Sequence, residues 1–374
     1  MAIHDRALSA FTAPAPGESP MTSPRPLFPE LARLRWPLIQ APMAGAQDAR
    51  LALAVGRAGA LGSLPAAMLA PEALERELQA MQAAGLPCNV NFFAHRPPDA
   101  AQADAAEARW RQALAPLRAE FGLGENDGPT PASRQPFDAA MAEVLERCPP
   151  AVVSFHFGLP DAALLARVRA LGCRILASAT TLREAQWLQA QGVDAVIAQG
   201  LEAGGHRGHF LDTDPDRQSG MLTLVTACAQ ALEVPVIAAG GIGTAAEVRA
   251  ALAAGARAVQ VGTAFLCCDE ATTGPLHRAR LLDPQAPTAL TNLFSGGLAR
   301  GLHNRLMAEF GPVSALAPPF PRASAALAPL RAAAERQGRD DFTPLWSGTN
   351  RRGCRAVPAA EIVEALTAGL SPAG

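Results

Sequence analysis

His206 is the side chain in this sequence with the plainest chemical capability. It sits in Gln199-Gly-Leu-Glu-Ala-Gly-Gly-His-Arg-Gly208, directly after the apolar run Ala195–Ala198. An imidazole titrates near neutrality, so it can accept a proton, donate one or orient an anion. Gly204, Gly205 and Gly208 beside it let backbone approach a ligand closely. A buried strand that delivers a histidine into a glycine-rich loop is a way to build a site on a rigid frame. The same residues also describe a tight turn with an exposed histidine, so the surroundings decide.

A second set of residues suits an anion. Gly240, Gly241 and Gly243 stand where an apolar run gives way to a helical pattern near Thr244, and Gly262-Thr263 follows the next apolar run. Backbone N–H groups freed of Cβ atoms, aided by a helix start, form a phosphate cradle. The phosphate could belong to a sugar phosphate or to flavin mononucleotide (FMN). Asn91 and Gln199 favour the flavin, because side-chain amides donate and accept at once and match the alternating edge of an isoalloxazine ring. Their alternative is capping of strand-end backbone groups. His156, between two Phe residues, faces either the site or an outer helix according to strand parity. Arg207 is read as an anion attractor or as half of a salt bridge with Glu202, with the structural reading favoured.

These residues need strands to carry them. From Leu38 the chain alternates short apolar runs with Ala/Leu-rich amphipathic stretches. Strands are expected at 38–43, 60–64, 88–93, 151–157, 174–179, 195–198, 234–239 and 258–265. Helices are expected at 49–58, 71–84, 160–171, 182–191 and 245–254. Apolar strands separated by helical patterns imply a parallel sheet buried on both faces. Eight of them close a (β/α)8 TIM barrel, whose active site lies at the strand C-terminal ends. An open doubly wound sheet is the alternative. Residues 94–150 interrupt the barrel between strands three and four, with a helix at 105–121 and then loop. Residues 272–345 follow strand eight as a smaller, mainly helical lid, with helical stretches at 288–310 and 324–337. The barrel thus takes 28–271 and 346–374, closing on a helix at 361–370, behind a disordered lead-in at 1–27.

Composition excludes several classes. The chain has 374 residues, a formal net charge of −2, no Lys and no Tyr. Without Lys there is no Schiff-base aldolase, no pyridoxal-phosphate enzyme and no Walker lysine. The charge balance shows no nucleic-acid footprint. Neither a signal-peptide core nor a run of about 20 apolar residues is present, so a cytoplasmic protein with no membrane partner is expected. The seven Cys have no CxxC pair or zinc-ligand spacing and read as free thiols, with no metal.

The segments Gln40–Gly45, Ala58–Ser63, Asn89–Phe92, Ser154–Gly158, Gln199–Gly208, Ala238–Ile242, Gln260–Thr263 and Phe294–Gly296 resemble the nitronate monooxygenase family, also called 2-nitropropane dioxygenases, and its bacterial class I branch. The likeness extends over most of residues 37–305; Leu345–Gly348 also resembles a C-terminal segment of the family. It implies an FMN-dependent barrel with Ala41, Pro42, Met43, Asn91, Gln199, Gly204, Gly205, Gly241, Gly262 and Thr263 around the flavin, joined by Gly240 from the phosphate reading. It makes His206 a catalytic base or substrate-orienting residue; His156, from its place on strand four, and Ser295 are further candidate substrate contacts. It implies oxidation of alkyl nitronates, notably propionate 3-nitronate, by O2 to a carbonyl compound and nitrite; a monomer or homodimer is expected. Class I members place tyrosines around the substrate, and this chain has none. Alternatives are an NADH-dependent FMN reductase of the enoyl-acyl-carrier-protein or quinone type, a non-catalytic flavin- or phosphate-ligand-binding barrel, and a flavin-free sugar-phosphate enzyme.

Overall fold

The computed structural model describes residues 27–31, 33–124 and 134–372. Residues 1–26 of the expected disordered lead-in therefore lie outside the described residues. The strands are β1 (Leu38–Gln40), β2 (Gly62–Pro65), β3 (Cys88–Phe93), β4 (Val152–His156), β5 (Arg174–Ala179), β6 (Ala195–Gln199), β7 (Gly205–His206), β8 (Val236–Ala239), β9 (Ala258–Val261), β10 (Thr288–Thr291) and β11 (Ala299–Leu302). The helices are α1 (Ala49–Arg57), α2 (Pro71–Ala83), α3 (Ala100–Glu120), α4 (Ala139–Arg147), α5 (Ala162–Ala170), α6 (Leu182–Ala190), α7 (Met221–Ala231), α8 (Ala245–Ala253), α9 (Pro275–Leu282), α10 (Arg305–Phe310), α11 (Ala323–Arg336) and α12 (Ala359–Thr367).

Eight parallel strands run in the order β1-β9-β8-β6-β5-β4-β3-β2. The ring closes where Gln40 N donates to Leu61 O and Leu61 N to Leu38 O, each at 2.9 Å. This is a (β/α)8 barrel. Side chains alternate across its wall. Ile39, Val152, Leu176, Ile197 and Ile237 fill the interior with Phe28 and Leu31 of the N-terminal segment. Their neighbours Leu38, Val153, Ile175, Val196 and Val236 pack outward under the helices. Both faces are dry, which is why these strands read as continuous apolar runs. The helices start where polar caps satisfy free N–H groups: Asp48 before α1, Asp161 before α5, and a Thr244–Glu247 capping box at α8.

The sequence expectation fails at 288–310. No continuous helix forms there; β10 and β11 pair antiparallel, with Thr288 opposite Leu302, and only Arg305–Phe310 is helical. Ser295-Gly296-Gly297 reverses the chain between the strands, with Gly296 at φ +89°. β11 then pairs with β7, placing Ala299 opposite His206. Three helices not expected from the sequence also form: α4, in a stretch read as loop, α7 and α9. Gly262 ends the eighth barrel strand early, and Thr263–Phe265 is a short 3-10 turn.

A second core, separate from the barrel's, unites Trp110, Leu114 and Leu117 of α3 with Phe294, Leu306, Leu327, Leu330 and Phe342. Trp110 Nε1 donates to Ala323 O at 3.3 Å, across more than 200 residues of chain. So α3, from the 94–150 insertion, packs with the 272–345 segment. Ala142, Val144 and Leu145 of α4 belong to the barrel's outer core.

Candidate functional site

A cavity of about 460 Å³ opens at the C-terminal ends of the barrel strands. Its lining includes Ala41, Pro42, Met43, Asn91, His156, Gln199, Gly204, Gly205, His206, Gly240, Gly241, Gly262 and Thr263. Strand parity explains the convergence. On β3, Asn89, Asn91 and Phe93 alternate with the outward Val90 and Phe92; on β4, Val152, Ser154 and His156 alternate with the outward Val153 and Phe155. His156 therefore faces the cavity and not an outer helix.

One side of the cavity is backbone. Gly240 and Gly241 adopt φ +107° and +72°, and a Cβ on Gly240 would come within 2.8 Å of Ala203 N. Among the described residues, the N–H groups of Gly241 and Thr263 have no backbone acceptor. The Thr263 hydroxyl oxygen accepts Gly348 N–H at 3.0 Å, which leaves its proton to donate. Asn91 Nδ2 is engaged by Ser154 O (3.2 Å) and Oγ (3.0 Å), so its carbonyl oxygen remains an acceptor.

The other side is His206 and what holds it. Gln199 Nε2 donates to His206 O at 2.9 Å, and Gln199 Oε1 accepts Gly208 N–H at 2.8 Å. Both ends of the Gln199 amide are thus used on the loop that carries the histidine. His156 Nε2 lies 3.1 Å from the same carbonyl, and Nδ1 lies 3.0 Å from Ser178 Oγ. A carbonyl only accepts, so His156 carries its proton on Nε2 and Nδ1 takes the serine hydroxyl. Burial pushes His156 down to about 4, so it stays neutral. In the structure, therefore, His156 supports the backbone of His206.

His206 Nε2 lies 2.8 Å from Ser295 Oγ, which also receives Gly297 N–H at 3.3 Å and sits 3.4 Å from Gly297 O. The serine proton can go two ways. Donated to Nε2, it makes Nδ1 of His206 an N–H donor; donated to Gly297 O, it leaves Nδ1 a free base. Burial first, then the nearby Arg134, holds His206 well below the usual histidine range. A neutral imidazole is the form that accepts a proton.

Rings not foreseen in the sequence enclose His206. Phe93, Phe157, Phe320 and Trp346 have centroids 6.0, 6.0, 5.2 and 5.4 Å from its ring. Phe157 is at φ +70°, an unfavourable region for a bulky residue, immediately before Gly158 at +89°. The pattern Ser154-Phe-His-Phe-Gly158 drew attention to the histidine and not to the ring after it. Arg134, also on the lining, lies in the part of the insertion read as loop.

Arg207 is a correction. It is fully buried, and its guanidinium donates to Gln199 O and Gly200 O (2.7 Å each) and to Gln218 Oε1 (2.9 Å). Burial pushes it down to about 10. It is a brace between β6 and the following loop. Glu202, read as its partner, instead receives Met221 N–H at the start of α7, at 2.9 Å. Among the described residues the seven Cys form no disulfide and no metal-binding cluster occurs. No described helix is long and apolar enough to cross a membrane.

The fold and this cavity define a (β/α)8-barrel enzyme with its site at the strand C-terminal ends. A sequence profile described as nitronate monooxygenase matches residues 25–369. A nitronate monooxygenase of Pseudomonas aeruginosa PAO1 is 41% identical over 350 residues, covering 91% of this chain and 97% of that protein. Another, of Paraburkholderia phytofirmans, is 41% identical over 356 residues, covering 92% and 94%. Among solved structures, a nitroalkane oxidase from Streptomyces ansochromogenes aligns with a TM-score of 0.82 at 39% identity, over 90% of this chain and 96% of that one. FabK from Thermotoga maritima shares the fold, with a TM-score of 0.63 at 22% identity over 90% and 93%. The chain belongs to the nitronate monooxygenase family. It is an oxidoreductase that acts on small nitronate-type molecules.

Proposed function

We propose that this protein binds FMN in the cavity and oxidises alkyl nitronates of the propionate 3-nitronate type with O2, yielding a carbonyl compound and nitrite. The observation that carries this reading is one cavity with unsatisfied backbone donors on one side and a neutral, tethered histidine on the other. The donor set fits the cofactor. Gly241 N–H, Thr263 N–H and the Thr263 hydroxyl suit a phosphate, and Asn91 Oδ1 suits a ring N–H. Bound FMN supplies the one-electron chemistry between nitronate and O2.

His206 then acts on the substrate. With a neutral nitroalkane, the free Nδ1 tautomer takes the α-proton; with a nitronate, the Nδ1–H tautomer orients the anion. Ser295 selects between them through the Nε2 contact. Gln199 and His156 keep the His206 backbone in place. Phe93 and Trp346 line the cavity and exclude water from the reacting carbon. Residues 272–345, joined by α3, form the lid in this reading.

The test is direct. Purified protein should show flavin absorption, release FMN on denaturation, and form nitrite aerobically from propionate 3-nitronate without NADH. A colourless protein, or one whose flavin is bleached anaerobically by NADH while nitronate is ignored, overturns the reading.

A further inference from the structure

Two guanidinium groups line the cavity, Arg134 and Arg331, and they are provided for differently. Arg331 is paired: its Nε lies 2.7 Å from Glu335 Oε1, which also accepts the Thr343 hydroxyl at 2.8 Å. Among the described residues Glu335 is the one carboxylate on the cavity lining. Arg134 has no carboxylate partner among the described residues. Its hydrogen bond among the described residues runs from Nη1 to Ser324 Oγ, at a long 3.4 Å. Burial and the charge of Arg331 both disfavour its ionisation. An arginine nevertheless keeps its proton at neutral pH. A half-buried cation without a carboxylate partner suits an anion that arrives with a ligand.

The position of Arg134 ties it to the reacting end of the cavity. Among the charges that oppose protonation of His206, Arg134 is the strongest. Phe93 and Trp346, near His206, offer no polar ring atom besides the indole N–H. A ligand for this space has one end at His206, an apolar body against the rings and an anionic end at the guanidinium.

Resting on the nitronate reading above, we propose that Arg134 is a specificity-determining residue that receives a carboxylate at the end of the nitronate remote from the reacting carbon. The planar fork of the guanidinium matches a carboxylate with two parallel N–H···O bonds. Arg134 belongs to the 94–150 insertion, so specificity is set by a segment outside the strands that hold the histidine.

The experiment compares two substrates of equal chain length, propionate 3-nitronate and propyl-1-nitronate, which has a methyl group in place of the carboxylate, on wild type, Arg134→Gln and Arg134→Lys. FMN content is measured for each protein. Loss of a charged hydrogen-bonded pair should raise KM for propionate 3-nitronate about 10- to 100-fold in Arg134→Gln, with kcat changed little. The kcat/KM for propyl-1-nitronate should move less than about 3-fold, because that substrate has no carboxylate to pair with Arg134. Arg134→Lys should recover part of the loss, since it restores charge without the fork. Equal losses on both substrates, or a wild type that does not distinguish them, overturn the proposal. Failure of wild type on both nitronates overturns the nitronate reading and this proposal with it. Turnover of propyl-1-nitronate with no selective effect of Arg134→Gln overturns this proposal alone.

Discussion

The two sides of the cavity are built by different means. The turns after β8 and β9 present backbone: Gly240, Gly241 and Gly262, with Thr263 as the side-chain donor. The His206 side presents side chains from β4, β6, the insertion and the segment just after the lid, including His156, Gln199, Arg134 and Trp346. The first depends on the absence of Cβ atoms over a few residues. The second depends on β7 pairing with β11, which brings Ser295 to His206 across 89 positions of chain. The difference teaches that a backbone cradle can be local in sequence, whereas a wall of side chains is assembled by tertiary contacts.

The sharpest way to separate the two sides is His206→Asn. Nitrite formation from a neutral nitroalkane should fall about 100- to 10,000-fold, the range for loss of a positioned acid–base group. FMN content should stay at the wild-type level, read from the absorption of equal protein concentrations. Loss of FMN with activity would show that the sides are not independent.

Titration should strike the side-chain half. His156 is held at about 4, below the 6.5 of an exposed histidine. Between those values the unfolded chain binds more protons, so stability is lost as pH falls from 7 towards 4. At pH 5 this one residue costs about 2 kcal/mol relative to neutral pH. Urea unfolding at pH 7 and pH 5 should show that difference shrinking in His156→Gln. An unchanged difference would mean that His156 does not carry the effect.

The backbone half is probed by Gly241→Ala. Gly241 is at φ +72°, and an added Cβ would lie 3.1 Å from Glu202 Cβ. The strain is about 1–3 kcal/mol. FMN affinity, followed by fluorescence titration of stripped protein, should fall roughly 5- to 150-fold at most. Wild-type kcat should remain once FMN saturates. A lowered kcat at saturation would blur the division.

Ser295→Ala is the mildest change. Removing the hydroxyl at 2.8 Å from His206 Nε2 should cost about 1 kcal/mol, or about 5-fold in kcat. The acid limb of the kcat–pH profile should shift, because the tautomer is no longer set by the serine. A fall in rate with an unmoved profile would make Ser295 a packing residue only.

Much of the barrel was legible before the structure. The expected strands at 88–93 and 174–179 coincide with β3 and β5. Their apolar runs are unbroken because both faces are buried, and Gly or Pro breaks mark their ends. The glycine turns after β8 and β9 were legible for the same local reason. The segment at 288–310 was not. Its apolar residues fit a helical spacing, yet β11 is held by β10 and by β7, a partner some 90 residues away. The partner of Arg207 was misread because Glu202, five residues before it, suggests a salt bridge, whereas three carbonyl-type acceptors hold the guanidinium.

By itself the sequence determined the alternation of strand and helix, the number of barrel strands and the glycine cradle. Each follows from spacing and residue type over a few positions. Only the tertiary structure decided what His206 faces. The tethering of its carbonyl, its hydrogen bond to Ser295, its ring of Phe and Trp side chains and the half-buried Arg134 all come from segments distant in sequence. Residue types name the groups that can react. Packing between distant segments sets the distances at which they do.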